Sequence, residues 1–179
     1  MSFDEPDIKL IREIVVNLER KSRSIMMQYR NTLLDDIDIL DNFRSIIYDV
    51  ENLFPDKHYD VEINVSLDEE ISNKNTNKLR VLVIIVKELL NNIYKHSQGK
   101  TINLNLYSVN DGYRLKIISD GTKREDYLNI LNSKSGVLFI KFLVDSNGGT
   151  VDYFYENGIL MTEVFIKCDW VGNNNIRWS

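Results

Sequence analysis

Residues 87–97 read K-E-L-L-N-N-I-Y-K-H-S and close an apolar run that extends from Leu79 to Val86. Leu82, Ile85, Leu89 and Ile93 recur three and four residues apart, which predicts one helix of about five turns with a buried stripe. Glu88, Asn92 and Lys95 fall at i, i+4 and i+7, so a second face lines up a carboxylate, an amide and an ammonium. That set suits a metal–polyanion ligand. The carboxylate can orient a water, the amide oxygen can reach Mg2+, and the lysine can meet phosphate. The plainer reading of the same triplet is a solvated helix face.

C-terminal to this helix, Gln98-Gly99-Lys100 makes a turn and two alternating segments follow. Ile102, Leu104 and Leu106 form one, Tyr113, Leu115 and Ile117 the other, and Asn110-Asp111-Gly112 between them is a hairpin signal. The second strand ends at Ile118-Ser119-Asp120-Gly121-Thr122, and Thr122 to Ser135 reads as a polar loop or irregular helix. Gly136 to Asn147 is helical, with Gly148-Gly149 as its left-handed end. Val151, Tyr153 and Tyr155 make a strand, Glu156-Asn157-Gly158 a turn, and Ile159 to Lys167 the last strand.

On the N-terminal side, Val61, Ile63 and Val65 alternate with polar residues as a half-exposed strand. Asp68 to Asn77 is a polar loop in which Ser72 or Asn75 could cap the next helix. Asp35 to Phe54 is a helix with a strong apolar face (Ile37, Leu40, Phe43, Ile46, Ile47, Val50), stopped by Pro55-Asp56-Lys57. His58 falls in the turn after that stop, where a histidine is ordinarily solvated. From Ile8 to about Leu34 the pattern is again helical, with a narrow stripe of Ile11, Ile14, Leu18, Ile25 and Tyr29. Such a stripe either pairs with a second helix, making a dimer, or packs on its own domain.

Composition bounds the class. The chain has 179 residues, 43% hydrophobic and 27% charged, enough for one substantial globular domain plus an appendage. Twenty-two basic against 27 acidic side chains give a net charge of −5, which argues against nucleic acid as the main partner. It leaves room for a nucleotide pocket, where only local charge counts. The one cysteine, Cys168, cannot form an intrachain disulfide, and no leader segment stands at the start, so a reducing cytoplasm is the expected location. No apolar run reaches the roughly 18–20 residues of a membrane span, so no membrane contact is expected in this chain. The order of elements predicts an α/β two-layer sandwich: a mixed, mostly antiparallel sheet with helices on one face, preceded by a long N-terminal helix.

The run E-x-x-x-N-x-x-K-H-S followed by an alternating strand resembles the N-box of the GHKL ATPases. More narrowly, it looks like the ATP-binding domain of bacterial sensor histidine kinases, in the subfamily of the nitrate sensors and membrane-fluidity thermosensors. The resemblance covers about residues 30 to 167. It implies the Bergerat-type sandwich over 35–170, with 1–34 as a remnant of a dimerisation hairpin and 171–179 as a tail. It also implies ATP and Mg2+ as ligands. Asn92 would hold Mg2+, Glu88 would orient the attacking or bridging water, and Lys95 and His96 would approach the phosphates. His96 could instead serve the helix C-terminus electrostatically. The family's adenine motif, Asp-x-Gly-x-Gly, stands here as Ser119-Asp120-Gly121-Thr122-Lys123, and either Ser119 or Asp120 takes the aspartate's place, with Gly121 following. The next motif, Gly-x-Gly-Leu, reads Lys134-Ser135-Gly136-Val137, and Met161-Thr162 stands for Gly-Thr. The glycine motifs are thus eroded while the helix motif is intact.

Two functions from different classes follow from the resemblance. One is a catalytic domain of a two-component system that supplies ATP for phosphorylation of a histidine outside this chain. Its partners would be a histidine-bearing hairpin or a response regulator, and it would form a homodimer through the N-terminal helix. The other is a degenerate, non-catalytic relative that signals by protein contact. A serine kinase of the anti-sigma type would lack the leading helix of residues 8–34, and an unrelated two-layer binding domain is a fourth reading. His58 and His96 are the only histidines, and neither has the mid-helix acidic neighbour of the family's phosphorylated histidine, so the chain alone is not expected to label itself.

Overall fold

The computed structural model describes residues 38–132 and 136–168. Alternation along the sequence becomes five strands: β1 (Asp60–Ser66), β2 (Thr101–Val109), β3 (Gly112–Ser119), β4 (Thr150–Glu156) and β5 (Ile159–Lys167). They pair in the order β1-β2-β3-β5-β4. β1 runs parallel to β2, and the other three pairs are antiparallel. The β4–β5 hairpin turns through Asn157 and Gly158 at φ +49° and +82°, the two positive angles that match a tight loop to the sheet's twist.

Among the described residues, five helices accompany the sheet: α1 (Ile39–Leu53), α2 (Glu69–Lys74), α3 (Thr76–His96), α4 (Arg124–Leu131) and α5 (Gly136–Ser146). The sheet positions that face them are buried: Ile102, Leu104 and Leu106 on β2, Tyr113, Leu115, Ile117 and Ser119 on β3, and Leu160, Thr162, Val164 and Ile166 on β5. The intervening residues are half-buried or exposed, so one face of the sheet carries the helix layer. Leu82, Ile85 and Leu90 of α3 are fully buried at the centre of the single core, between Phe43 and Val50 of α1 and Phe139 and Ile140 of α5. Each such side chain contributes about 1.5–3 kcal/mol through the water it sheds.

The expected two-layer sandwich is therefore the observed one, with three local differences. The segment expected as a polar loop, Asp68 to Asn77, contains α2. Asp68 Oδ1 accepts the Ile71 N–H at 3.0 Å, and Glu69 and Glu70 suit the first turn. α2 buries none of its residues, so it leaves no apolar period to read. α3 begins at Thr76, ahead of the apolar run. Asn75 stands at its N-cap, but the Asn75 amide donates back to Ile71 O at 3.0 Å instead of accepting from α3. Ser72, the other expected cap, lies within α2. The stretch after Thr122 holds a regular helix, α4. The readings of the N-terminal helix (1–34), of Lys134 and Ser135, and of the tail from 171 fall outside the described residues.

Candidate nucleotide site

α3 carries the polar triplet toward one end of the helix layer. Glu88 and Asn92 are half-buried there, and Lys95 is exposed. Gly136, the first residue of α5, is buried against the first two. A methyl group at Gly136 would come within 2.9 Å of Glu88 Oε1 and 3.3 Å of Asn92 Nδ2. Only a glycine lets the α5 backbone approach α3 this closely without moving the carboxylate and the amide. The start of a helix also carries the positive end of its dipole, which favours anionic ligands.

The sheet forms the floor. The two candidates at the end of β3 have different surroundings. Ser119 pairs with Leu160 on the helix-facing side and is 1% exposed. Asp120, one residue on, is held at the sheet end, where Asp120 Oδ1 accepts the backbone N–H of Lys100 at 2.7 Å and of Thr101 at 2.8 Å. Partial burial acts to raise the Asp120 pKa, but those donated N–H groups outweigh it and hold the carboxyl below its usual range. Asp120 is thus committed to starting β2, and Ser119 is the residue turned toward α3 and α5. Thr162, paired with Ile117, shares that face and is 4% exposed.

Gly121 has a structural duty. At φ +69° it crosses Gly99 so closely that a Cβ on it would lie 2.2 Å from the Gly99 backbone. Gln98 N–H donates to Gly121 O at 3.0 Å, and Thr122 N–H to Gly158 O at 3.0 Å. The loop after β3 is therefore pinned to the end of α3 on one side and to the β4–β5 turn on the other. A buried hydroxyl pair, Ser97 Oγ and Thr122 Oγ1 at 2.7 Å, completes the joint.

The end of α3 is served by Lys57, which no local pattern in the sequence singles out. Its ammonium donates to Tyr94 O and, at 2.8 Å, to Ser97 O, taking up carbonyls that the helix leaves open. His96 is half-buried nearby. Burial first, then Lys95 and Lys57, lower its pKa, and Asp126 of α4 opposes them. A neutral imidazole is the favoured form, so the electrostatic duty at this helix end rests with Lys57.

Four buried side-chain atoms among the described residues make no hydrogen bond of ordinary geometry. Tyr113 Oη is at the far end of β3, beside Ser72 and Cys168. The other three are Asn92 Nδ2, Ser119 Oγ and Tyr153 Oη. Tyr153 stands beside Thr162 in the β4–β5 register, and burial together with the charge of Glu88 raises its phenol pKa. The sequence showed Tyr153 only as an alternating strand residue. Its neighbour Tyr155 stacks on Tyr127 of α4 with ring centroids 5.2 Å apart. Folded proteins leave few buried polar atoms unpaired, so these three are candidates for contact with a ligand. The donor set fits a Mg2+–nucleotide: Asn92 and Glu88 for the metal and its water, the α5 N-terminus for phosphate, and buried hydroxyls in an apolar floor for a base.

No family model matches the chain, and no curated protein matches it. Solved structures do. The Erythrobacter litoralis EL346 blue-light activated histidine kinase aligns with a TM-score of 0.54 at 14% identity, over 69% of this chain and 40% of that chain. The Acinetobacter baumannii histidine kinase AdeS aligns with a TM-score of 0.50 at 16% identity, over 94% of this chain and 87% of that chain. This chain thus spans 40% of the length of the first of them. The five-stranded mixed sheet with its helices on one face is a fold that this chain shares with histidine kinases.

Proposed function

We propose that this chain is the ATP-binding domain of a two-component sensor histidine kinase of the GHKL superfamily, supplying ATP for phosphorylation of a histidine outside the chain. The observation that carries the reading is the set of unpaired buried atoms, Asn92 Nδ2, Ser119 Oγ and Tyr153 Oη, in a layer where Gly136 meets Glu88 and Asn92. Asn92 Oδ1 would hold Mg2+, Glu88 would orient a water or the incoming hydroxyl or imidazole, and Lys95 would meet phosphate from the exposed side. Bound Mg2+–ATP supplies the γ-phosphoryl group and its leaving group. The protein's own part is to position them and to neutralise developing charge. His96, with its pKa lowered chiefly by burial, would offer phosphate a neutral N–H donor, and Lys95 would supply the charge.

The proposed partners are a histidine-bearing hairpin and its response regulator, in a cytoplasmic setting, with residues 8–34 as the dimerising element. No described helix is long and apolar enough to cross a membrane. A second reading, a non-catalytic relative acting by contact, is favoured by one observation: a hydroxyl at Ser119 where the resembled kinases place a carboxylate. Thermal melting with Mg2+–ADP separates the two. A ligand that binds only the folded state raises the melting temperature by mass action. Mg2+–ADP at millimolar concentration should raise it, and Asn92→Ala should remove the Mg2+-dependent part. An unchanged melting temperature would sink the kinase reading.

A further inference from the structure

The end of β3 offers a base-recognition group of unusual chemistry. Ser119 Oγ is buried and has no partner, although its residue is 1% exposed. Its surroundings on that face are apolar: Ile117 two residues before it and Leu160 across from it. A flat heterocycle with polar atoms along one edge fits such a floor, whereas phosphate needs cations or helix N–H groups. Thr162 is the second hydroxyl on this face, diagonal to Ser119 and about 7–8 Å from it by strand geometry. The carboxylate nearest in sequence, Asp120, is turned away and occupied by Lys100 and Thr101. Glu88 lies at the other end of the site, against Gly136 and beside Tyr153.

The pattern of donors and acceptors follows from that inventory. A carboxylate only accepts, so it would favour a 6-amino purine and repel a 6-oxo one. A hydroxyl rotates to donate or to accept. Between adenine and hypoxanthine, the 6-substituent changes from donor to acceptor and ring nitrogen 1 from acceptor to donor. The Ser119 hydroxyl can accept from a 6-amino group and donate to a 6-oxo oxygen, so either base leaves it paired. We infer that Ser119 makes this a base site that accepts 6-oxo purine nucleotides about as well as 6-amino ones. The inference rests on the nucleotide-binding reading above and names the substrate class of that same site.

The test is calorimetric titration of the full chain with Mg2+–ADP and with Mg2+–IDP, which differ at that edge of the base alone. The dissociation constants should agree within about threefold, less than one hydrogen bond's worth of discrimination. Ser119→Asp should restore preference for ADP by about tenfold or more, because a buried carboxylate facing a carbonyl oxygen is left unpaired. A wild-type preference for ADP of tenfold or more overturns the inference while leaving nucleotide binding intact. Binding of neither nucleotide overturns both. If the aspartate variant does not fold, the wild-type ratio decides alone.

Discussion

Ser97 Oγ and Thr122 Oγ1 sit 2.7 Å apart with both residues buried, so the end of α3 and the loop leaving β3 move as one piece. Removing either hydroxyl strands the other in a dry environment. Ser97→Ala and Thr122→Val should each cost about 1–2 kcal/mol. The double variant should cost clearly less than the two together, with a coupling of about 0.5–1.5 kcal/mol in a double-mutant cycle by urea unfolding. Strict additivity would show that the pair is not a working contact.

Gly136→Ala separates stability from ligand binding. Gly136 has no positive φ, so alanine there is worth about 0.4–1 kcal/mol through the lost freedom of the unfolded chain, and the atom it would strike first, Glu88 Oε1, is the end of a flexible side chain. The melting temperature should hold or rise. The Mg2+–ADP shift should shrink strongly, because Glu88 and Asn92 are pushed from their places. A melting temperature that falls by several degrees, with the nucleotide shift intact, would contradict this account of the site.

Lys57→Met keeps the apolar stem and removes the ammonium that serves Tyr94 O and Ser97 O. The expected loss is about 1–2 kcal/mol, by the worth of charge-assisted bonds at a helix C-terminus. Chemical denaturation at low and high salt measures it. An unchanged midpoint would mean that solvent satisfies those carbonyls equally well.

His96 gives the fold a mild acid sensitivity. Burial, with Lys95 and Lys57, lowers its folded pKa below the ordinary 6.5, while Asp126 works in the opposite sense. The unfolded chain therefore takes up a proton before the folded one does. The stabilisation is complete above 6.5 and is lost as pH falls from there through the folded value. Urea midpoints of wild type and His96→Gln should converge between about pH 7.5 and about pH 5.5 as the wild type loses this contribution. Parallel curves across that range would refute the assignment.

The strands and the long helices were legible because their apolar residues keep strict periods, as Leu104 and Leu106 or Leu82, Ile85 and Leu89 do. The register at the end of β3 was not. Ser119 and Asp120 are adjacent, a turn follows, and periodicity stops constraining the chain where the strand stops. Only the backbone partners of Asp120 decide which side chain faces the helices. Lys57 was illegible for another reason: a cap donated from some forty residues away leaves no local pattern. Tyr153 was hidden by plausibility, since a tyrosine at a strand position needs no explanation until its hydroxyl is found without a partner.

β1 is the sheet's parallel edge, and that has a consequence for how the protein opens. β2–β3 and β4–β5 close through tight turns, whereas every β1–β2 pair joins residues about forty positions apart, with α2 and α3 between them. Its loop-closure entropy is therefore the largest in the β1–β2–β3 half, and β1 has a neighbour on one side only. In hydrogen exchange under native conditions, the bonded amides of β1 should trade their protons through partial unzipping. Those of β3, held by β2 and β5, should wait for the whole molecule to unfold.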